Sequence, residues 1–162
     1  MSDCRHDWTR RRLIGWGCGL LGASTILGTS KASATEPAKI GQPAQPTSEE
    51  FVKRAFEMRD QAIANGDRGY GALIVHVTSL QVVGQSPSRV ITRSDPSAHA
   101  EMEAIRDAAR RLGKPDLSGH TMYSSSRPCP MCEAAAYWAN LDLMYYGRNA
   151  TSAGPPRLCS SG

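Results

Sequence analysis

Cysteine is scarce in this 162-residue chain. Its five cysteines are Cys4, Cys18, Cys129, Cys132 and Cys159, and only one pair has CxxC spacing. Nothing here supports a disulfide framework. With no second CxxC, a four-cysteine structural metal site is excluded as well. A long apolar run is also missing. The stretch from Leu13 to about Leu27 is interrupted by glycine and falls short of the roughly 20 residues that a comfortable membrane span needs. Charge of one sign is not in excess either. Of the overall +4, residues 1–34 supply five basic and two acidic residues, and the rest of the chain is close to balance at +1. Arg106, Arg110, Arg111 and Lys114 cluster on a predicted helix, but Glu103 and Asp107 offset them, as on an ordinary solvated face. A nucleic-acid partner would ask for a basic stripe, so none is expected.

The informative residues lie in two short segments, His99-Ala100-Glu101 and Pro128-Cys129-Pro130-Met131-Cys132. Together they offer three zinc-type ligands, His99, Cys129 and Cys132, and one carboxylate, Glu101, that need not bind the metal. A catalytic zinc keeps three protein ligands and leaves the fourth position to water. The metal draws the pKa of that water towards neutrality, and a carboxylate two residues from the first ligand can shuttle its protons. Cys129 and Cys132 are three apart, so on one helical turn both thiolates face the same way. A helix N-terminus also favours thiolates. Met102, Ile105, Ala109 and Leu112 recur at helical spacing after His99 and predict the buried face of a second helix. Gly113 ends it. Two helix N-termini are thus expected to point at one zinc per chain.

H-x-E followed by P-C-x-x-C is the known signature of zinc nucleobase deaminases. On these residues the sequence resembles the cytidine deaminase-like superfamily, nearest to its guanine deaminase and tRNA adenosine deaminase branch. The stretches that carry the resemblance are Asp95–Ile105, Met122–Cys132 and Gly69–Val75, and it covers roughly residues 48 to 150. Pro-Cys-Pro-Met-Cys and the run Ala136-Tyr137-Trp138-Ala139 lean towards guanine deaminase. The resemblance implies hydrolytic deamination of a nucleobase or nucleoside, with guanine favoured and adenosine or cytosine as alternatives. It implies that Glu101 moves the protons, that backbone near Ala100 holds the ring and that Tyr70 stacks on it. Ser88 stands where the family offers an Asn to the substrate. The sequence also departs from the family pattern with Gly69 for Pro, Arg127 for Glu before Pro-Cys, and Ser152 for a tail Asp. A zinc-binding scaffold with impaired activity is the competing reading. The resemblance admits a homodimer, which no feature of the sequence requires.

Residues 1–34 read as an export signal. Thr9-Arg10-Arg11-Arg12-Leu13-Ile14 resembles a twin-arginine motif, and Ala32-Ser33-Ala34 is a small-residue cleavage site. The expected location is periplasmic or extracellular, with no membrane span left after cleavage. Residues 35–47, with Pro37, Pro43 and Pro46 among small polar residues, read as an extended, unpacked linker. Residues 48–149 form the deaminase domain, and 150–162 read as a loop or disordered tail.

Within the domain, Thr47-Ser48-Glu49-Glu50 is a capping box. Phe51, Ala55, Met58 and Ala62 share one helical face, which Asn65-Gly66 ends. Strands are expected at Tyr70–Val77, Gln81–Gly84, Thr121–Ser124 and Leu143–Tyr146, with helices to Leu112 and over Cys129–Ala139. Leu73-Ile74-Val75 suits a strand buried on both faces. The order predicts an α/β fold of three layers, α/β/α, with a mixed central sheet. His76 and His120 read as ordinary structural or surface histidines.

Overall fold

The structure, a computed structural model, describes residues 38–158. Residues 1–34, expected to be an export signal, and Cys159 lie outside the described residues. In chain order the elements are α1 (Ser48–Ala64), β1 (Gly71–His76), β2 (Val82–Pro87), α2 (Ala100–Leu112), β3 (His120–Ser124), α3 (Pro130–Trp138), β4 (Leu143–Tyr146) and β5 (Thr151–Gly154). The strands form one sheet in the order β2-β1-β3-β4-β5. β3 and β4 are parallel, and the other pairs are antiparallel. A parallel pair needs a crossover, and α3 supplies it.

Side chains alternate across the sheet and hold a helix layer on each face. Leu73, Val75 and Tyr123 pack with Phe51, Val52 and Ala55 of α1. Ala72, Ile74, Met122 and Met144 pack with Ala100, Ala104 and Ala108 of α2 and Ala136 of α3. This is the expected three-layer α/β/α arrangement around a mixed sheet. Two glycines set how close the helices come. A Cβ at Gly71 would lie 2.2 Å from the Ala55 carbonyl oxygen, and one at Gly84 would lie 2.6 Å from the Ala108 nitrogen.

Local signals explain three of the six helix ends. Thr47 caps α1 by accepting from the Glu50 N–H at 3.3 Å, one half of the capping box. Gly66 and Gly113 adopt positive φ of 73° and 66° just beyond α1 and α2. The buried α1 residues are those expected, with Val52 added.

Several sequence expectations need correction. The buried face of α2 is not Met102, Ile105, Ala109 and Leu112, which are half-buried or exposed. It is Ala100, Ala104 and Ala108, together with Glu101, Glu103 and Asp107. Close approach at Gly84 admits only small side chains, so the smallest residues face the sheet. β2 runs on past Gly84 to Pro87, because Ser86 and Pro87 pair with Ala72 and Gly71. The described part of the linker is not unpacked: Ile40 is buried in the α1-side core. Gln42 accepts from Val82 N–H at 2.7 Å and donates to Val82 O at 3.0 Å. Its side-chain amide serves as one more strand partner for the edge strand β2. The tail is not wholly loop either, since Thr151–Gly154 forms β5 against β4. Thr-Ser-Ala-Gly carries no apolar alternation, so pairing of backbone groups creates this strand where side chains give no signal.

Candidate active site

Two helix N-termini meet at the C-terminal end of β3. His99 is the N-cap of α2 and Cys129 the N-cap of α3; neither side chain makes a capping hydrogen bond, and Pro130 occupies the first turn of α3. Proline fits there because its missing N–H would have no helical acceptor. Serines fix the loop between β3 and α3. The Ser124 hydroxyl donates to Ser126 O at 2.6 Å, and Gly71 N–H donates to Ser125 Oγ at 3.1 Å.

The His99 Nδ1, Cys129 Sγ and Cys132 Sγ atoms form a nearly equilateral triangle, each pair 3.6 Å apart. Zinc bonds of about 2.3 Å to sulfur and 2.0–2.1 Å to nitrogen give tetrahedral edges of roughly 3.5–3.8 Å. The donor set and its spacing therefore fit zinc, with one corner open. Glu101 is buried, and its Oε2 lies 3.6 Å from Cys132 Sγ.

Electrostatics point the same way. Burial raises the Glu101 carboxyl above its usual range, against the backbone N–H and Cys132 contacts that favour the charged form. Burial, followed by the neighbouring Glu101 and Cys129 charges, pushes the Cys132 thiol strongly up. Packing a carboxylate and two sulfurs together is unfavourable without a cation. A divalent metal reverses that logic and deprotonates its thiol ligands.

The site opens into a cavity of about 270 Å³. His99, Glu101 and Cys129 line its inner part, and Tyr70, Arg68, Ser126 and Arg127 its other walls. Buried Glu101 marks the floor, whereas Tyr70 is 46% exposed and marks the mouth. Tyr70 thus stands where a planar ring could stack. Ala100 and Ser88 are not on the cavity wall. Ala100 sits in the core beneath α2. The buried Ser88 hydroxyl donates to Asp67 Oδ1 at 2.9 Å.

Asp67 is the functional-looking residue that the sequence did not single out. Its carboxylate accepts from the N–H groups of Arg68, Ile91 and Thr92 and from the hydroxyls of Ser88 and Thr92. Burial opposes its charge, but these hydrogen bonds, led by the Thr92 N–H, hold its pKa well below the usual carboxylate range. Asp67 thereby ties the loop carrying Arg68 and Tyr70 to the segment leading into α2. Nothing marks it in sequence, because its donors lie up to 25 residues away. Glu103 works similarly from α2, buried and paired with Arg93 and Arg106. Arg68 and Ser126 are further cavity residues without a sequence signal.

A three-ligand zinc site beside a buried carboxylate, set at the end of a mixed sheet between helix layers, defines a metal-dependent hydrolytic centre. The family of the cytidine and deoxycytidylate deaminase zinc-binding region matches residues 45–148. The chain belongs to this family of zinc-binding deaminases, hydrolases that act on C–N bonds. It is 40% identical over 106 residues to guanine deaminase of Bacillus subtilis, covering 65% of this chain and 67% of that one. It is 30% identical to the tRNA-specific adenosine deaminase of Haemophilus influenzae, covering 65% and 61%. The solved structure of the Bacillus subtilis guanine deaminase superposes with a TM-score of 0.59 at 36% identity, covering 62% of this chain and 64% of that one. The chain thus spans about two thirds of the length of these relatives.

Proposed function

We propose that this protein hydrolytically deaminates a nucleobase or nucleoside, with the guanine ring as the leading substrate and zinc held by His99, Cys129 and Cys132. The observation that carries the reading is the 3.6 Å triangle of ligand atoms with Glu101 beside it. Similarity to guanine deaminase supports the choice of ring. Zinc, when bound, supplies the Lewis acidity that lowers the pKa of water towards 7. Glu101 takes one proton of the attacking water and delivers it to a ring nitrogen, then carries that water's second proton to the amine, which leaves as ammonia. Its buried position excludes bulk water from that transfer. Tyr70 stacks on the ring and orients the amine-bearing carbon towards the ligand triangle.

The test is ammonia release by the full zinc-loaded chain against a panel of guanine, adenine, cytosine and their nucleosides. Release with the guanine ring is the expected result. Release with another ring alone overturns the substrate choice, and silence across the panel at one zinc per chain favours an inactive scaffold.

Export by a twin-arginine route belongs to the same proposal, supported by Arg10–Arg12 and Ala32-Ser33-Ala34. Replacing the three arginines by lysine should retain the protein in the cytoplasmic fraction; unchanged export would remove the route. A small-molecule substrate is favoured over nucleic acid by the near-neutral charge after residue 34. The family resemblance supports a homodimer, which sedimentation equilibrium would test.

A further inference from the structure

Six arginines of the domain pair with carboxylates. Arg54 meets Glu57, Arg59 meets Asp60, Arg93 and Arg106 share Glu103, and Arg110 and Arg111 share Asp107. The guanidinium groups of Arg68, Arg89, Arg127, Arg148 and Arg157 have no carboxylate partner among the described residues, and of these five only Arg68 and Arg127 reach the cavity wall. Both are exposed and both line the cavity above the ligand triangle. Among the described residues neither guanidinium has an ion-pair or hydrogen-bond partner. They arrive from separate elements, Arg68 from the loop before β1 and Arg127 from the loop before α3. Asp67, through its bond from the Arg68 N–H at 2.7 Å, fixes the backbone from which Arg68 projects. The one carboxylate on the cavity wall is Glu101, on the floor.

Two unpaired guanidinium groups on the wall of one small cavity favour an anion within it. Guanidinium forks match phosphate and carboxylate geometry. A base alone would leave both without a partner, whereas a ring stacked on Tyr70 with an anionic substituent directed outward would meet them. We propose that the substrate is an amino-heterocycle bearing an anionic group, a phosphate or a carboxylate, gripped by Arg68 and Arg127. This rests on the deaminase reading above and adds to it what the ring carries.

The experiment is titration calorimetry of the full zinc-loaded chain at low salt with guanosine and with guanosine 5′-monophosphate, alongside inorganic phosphate and acetate as competitors. The expected result is tighter binding of the monophosphate by at least ten-fold, with the gap lost in the Arg68→Gln, Arg127→Gln double variant. Competition by phosphate alone identifies a phosphate-bearing substrate; competition by acetate as well extends the site to carboxylates. Equal binding of the two ligands with no competition by either anion overturns the proposal, as does a gap that survives in the double variant. Tighter, arginine-dependent binding of a short single-stranded RNA than of the monophosphate overturns it in favour of nucleic acid. Both arginines are exposed, so the variant should fold, which circular dichroism checks. Ammonia release is followed in parallel. A binding gap without turnover sinks the deaminase reading and leaves the anion site standing; turnover without a gap does the reverse.

Discussion

Glu101 and Asp67 are both buried carboxylates at the ends of the same loop system, and their surroundings push them in opposite directions. Glu101 meets few donors, so burial dominates and favours its protonated form. A carboxyl raised in this way holds a proton more readily than a free one, as a proton carrier must. Glu101→Gln should keep its zinc yet lower kcat by about 10²–10⁴-fold. Metal analysis beside ammonia release checks this, and near-normal turnover would remove Glu101 from the chemistry. Asp67 meets five donors and stays ionised. Its folded pKa lies below the unfolded value of about 3.9, so its contribution is complete above that pH and fades as pH falls through the folded value. Asp67→Asn should cost about 1–3 kcal/mol at pH 7. In urea melts the gap from the parent should shrink between pH 4 and lower values; a gap independent of pH would mean that the charge is not what stabilises the loop.

At the scale of elements, close approach of helix to sheet decides where the ligands sit. α2 carries His99 and Glu101 and rests on β2 through Gly84, while α1 rests on β1 through Gly71. A methyl at Gly71 would strike α1 backbone, which has no rotamer to yield. Gly71→Ala should therefore destabilise by about 1–3 kcal/mol or more, whereas Thr47→Ala, which removes only a cap, should cost about 1 kcal/mol. Denaturant midpoints of the two variants would rank them. If Gly71→Ala proved the milder change, α1 must be free to shift away from the sheet. β5 and the docking of Gln42 on β2 belong to this scale too. Both cover sheet edges with backbone-like pairing, which apolar periodicity in the sequence does not register.

For the whole molecule, the metal is a tie between parts distant in sequence. Its ligands come from α2 and α3, 30 and 33 residues apart. Zinc that binds only the folded chain stabilises it by about 2.7 kcal/mol at one hundred times its Kd. Chelation should then lower Tm by roughly 10 °C for a domain of this size. His99→Ala should lose both the metal and the response of Tm to chelator. A melt unmoved by zinc in the parent protein would mean that the three ligand atoms do not act together.

The His99–Glu101 and Cys129–Cys132 pairs, the order of the first seven elements and the caps of α1 and α2 were legible in the sequence, because each depends on residues a few positions apart. Spacing along one turn or one strand is a local property, and local chemistry survives folding unchanged. The true face of α2, the length of β2, β5, the packed Ile40 and the Asp67 cluster were not legible. Each depends on which surfaces meet across the fold: Ala104 and Ala108 face inward because Gly84 lies beneath them, and Asp67 is ionised because Thr92 and Ser88 are brought to it. Arg127 was visible as an oddity of sequence. Only the tertiary structure sets it and Arg68 on the wall of one cavity, because that placement needs two separate loops to converge on a single metal site.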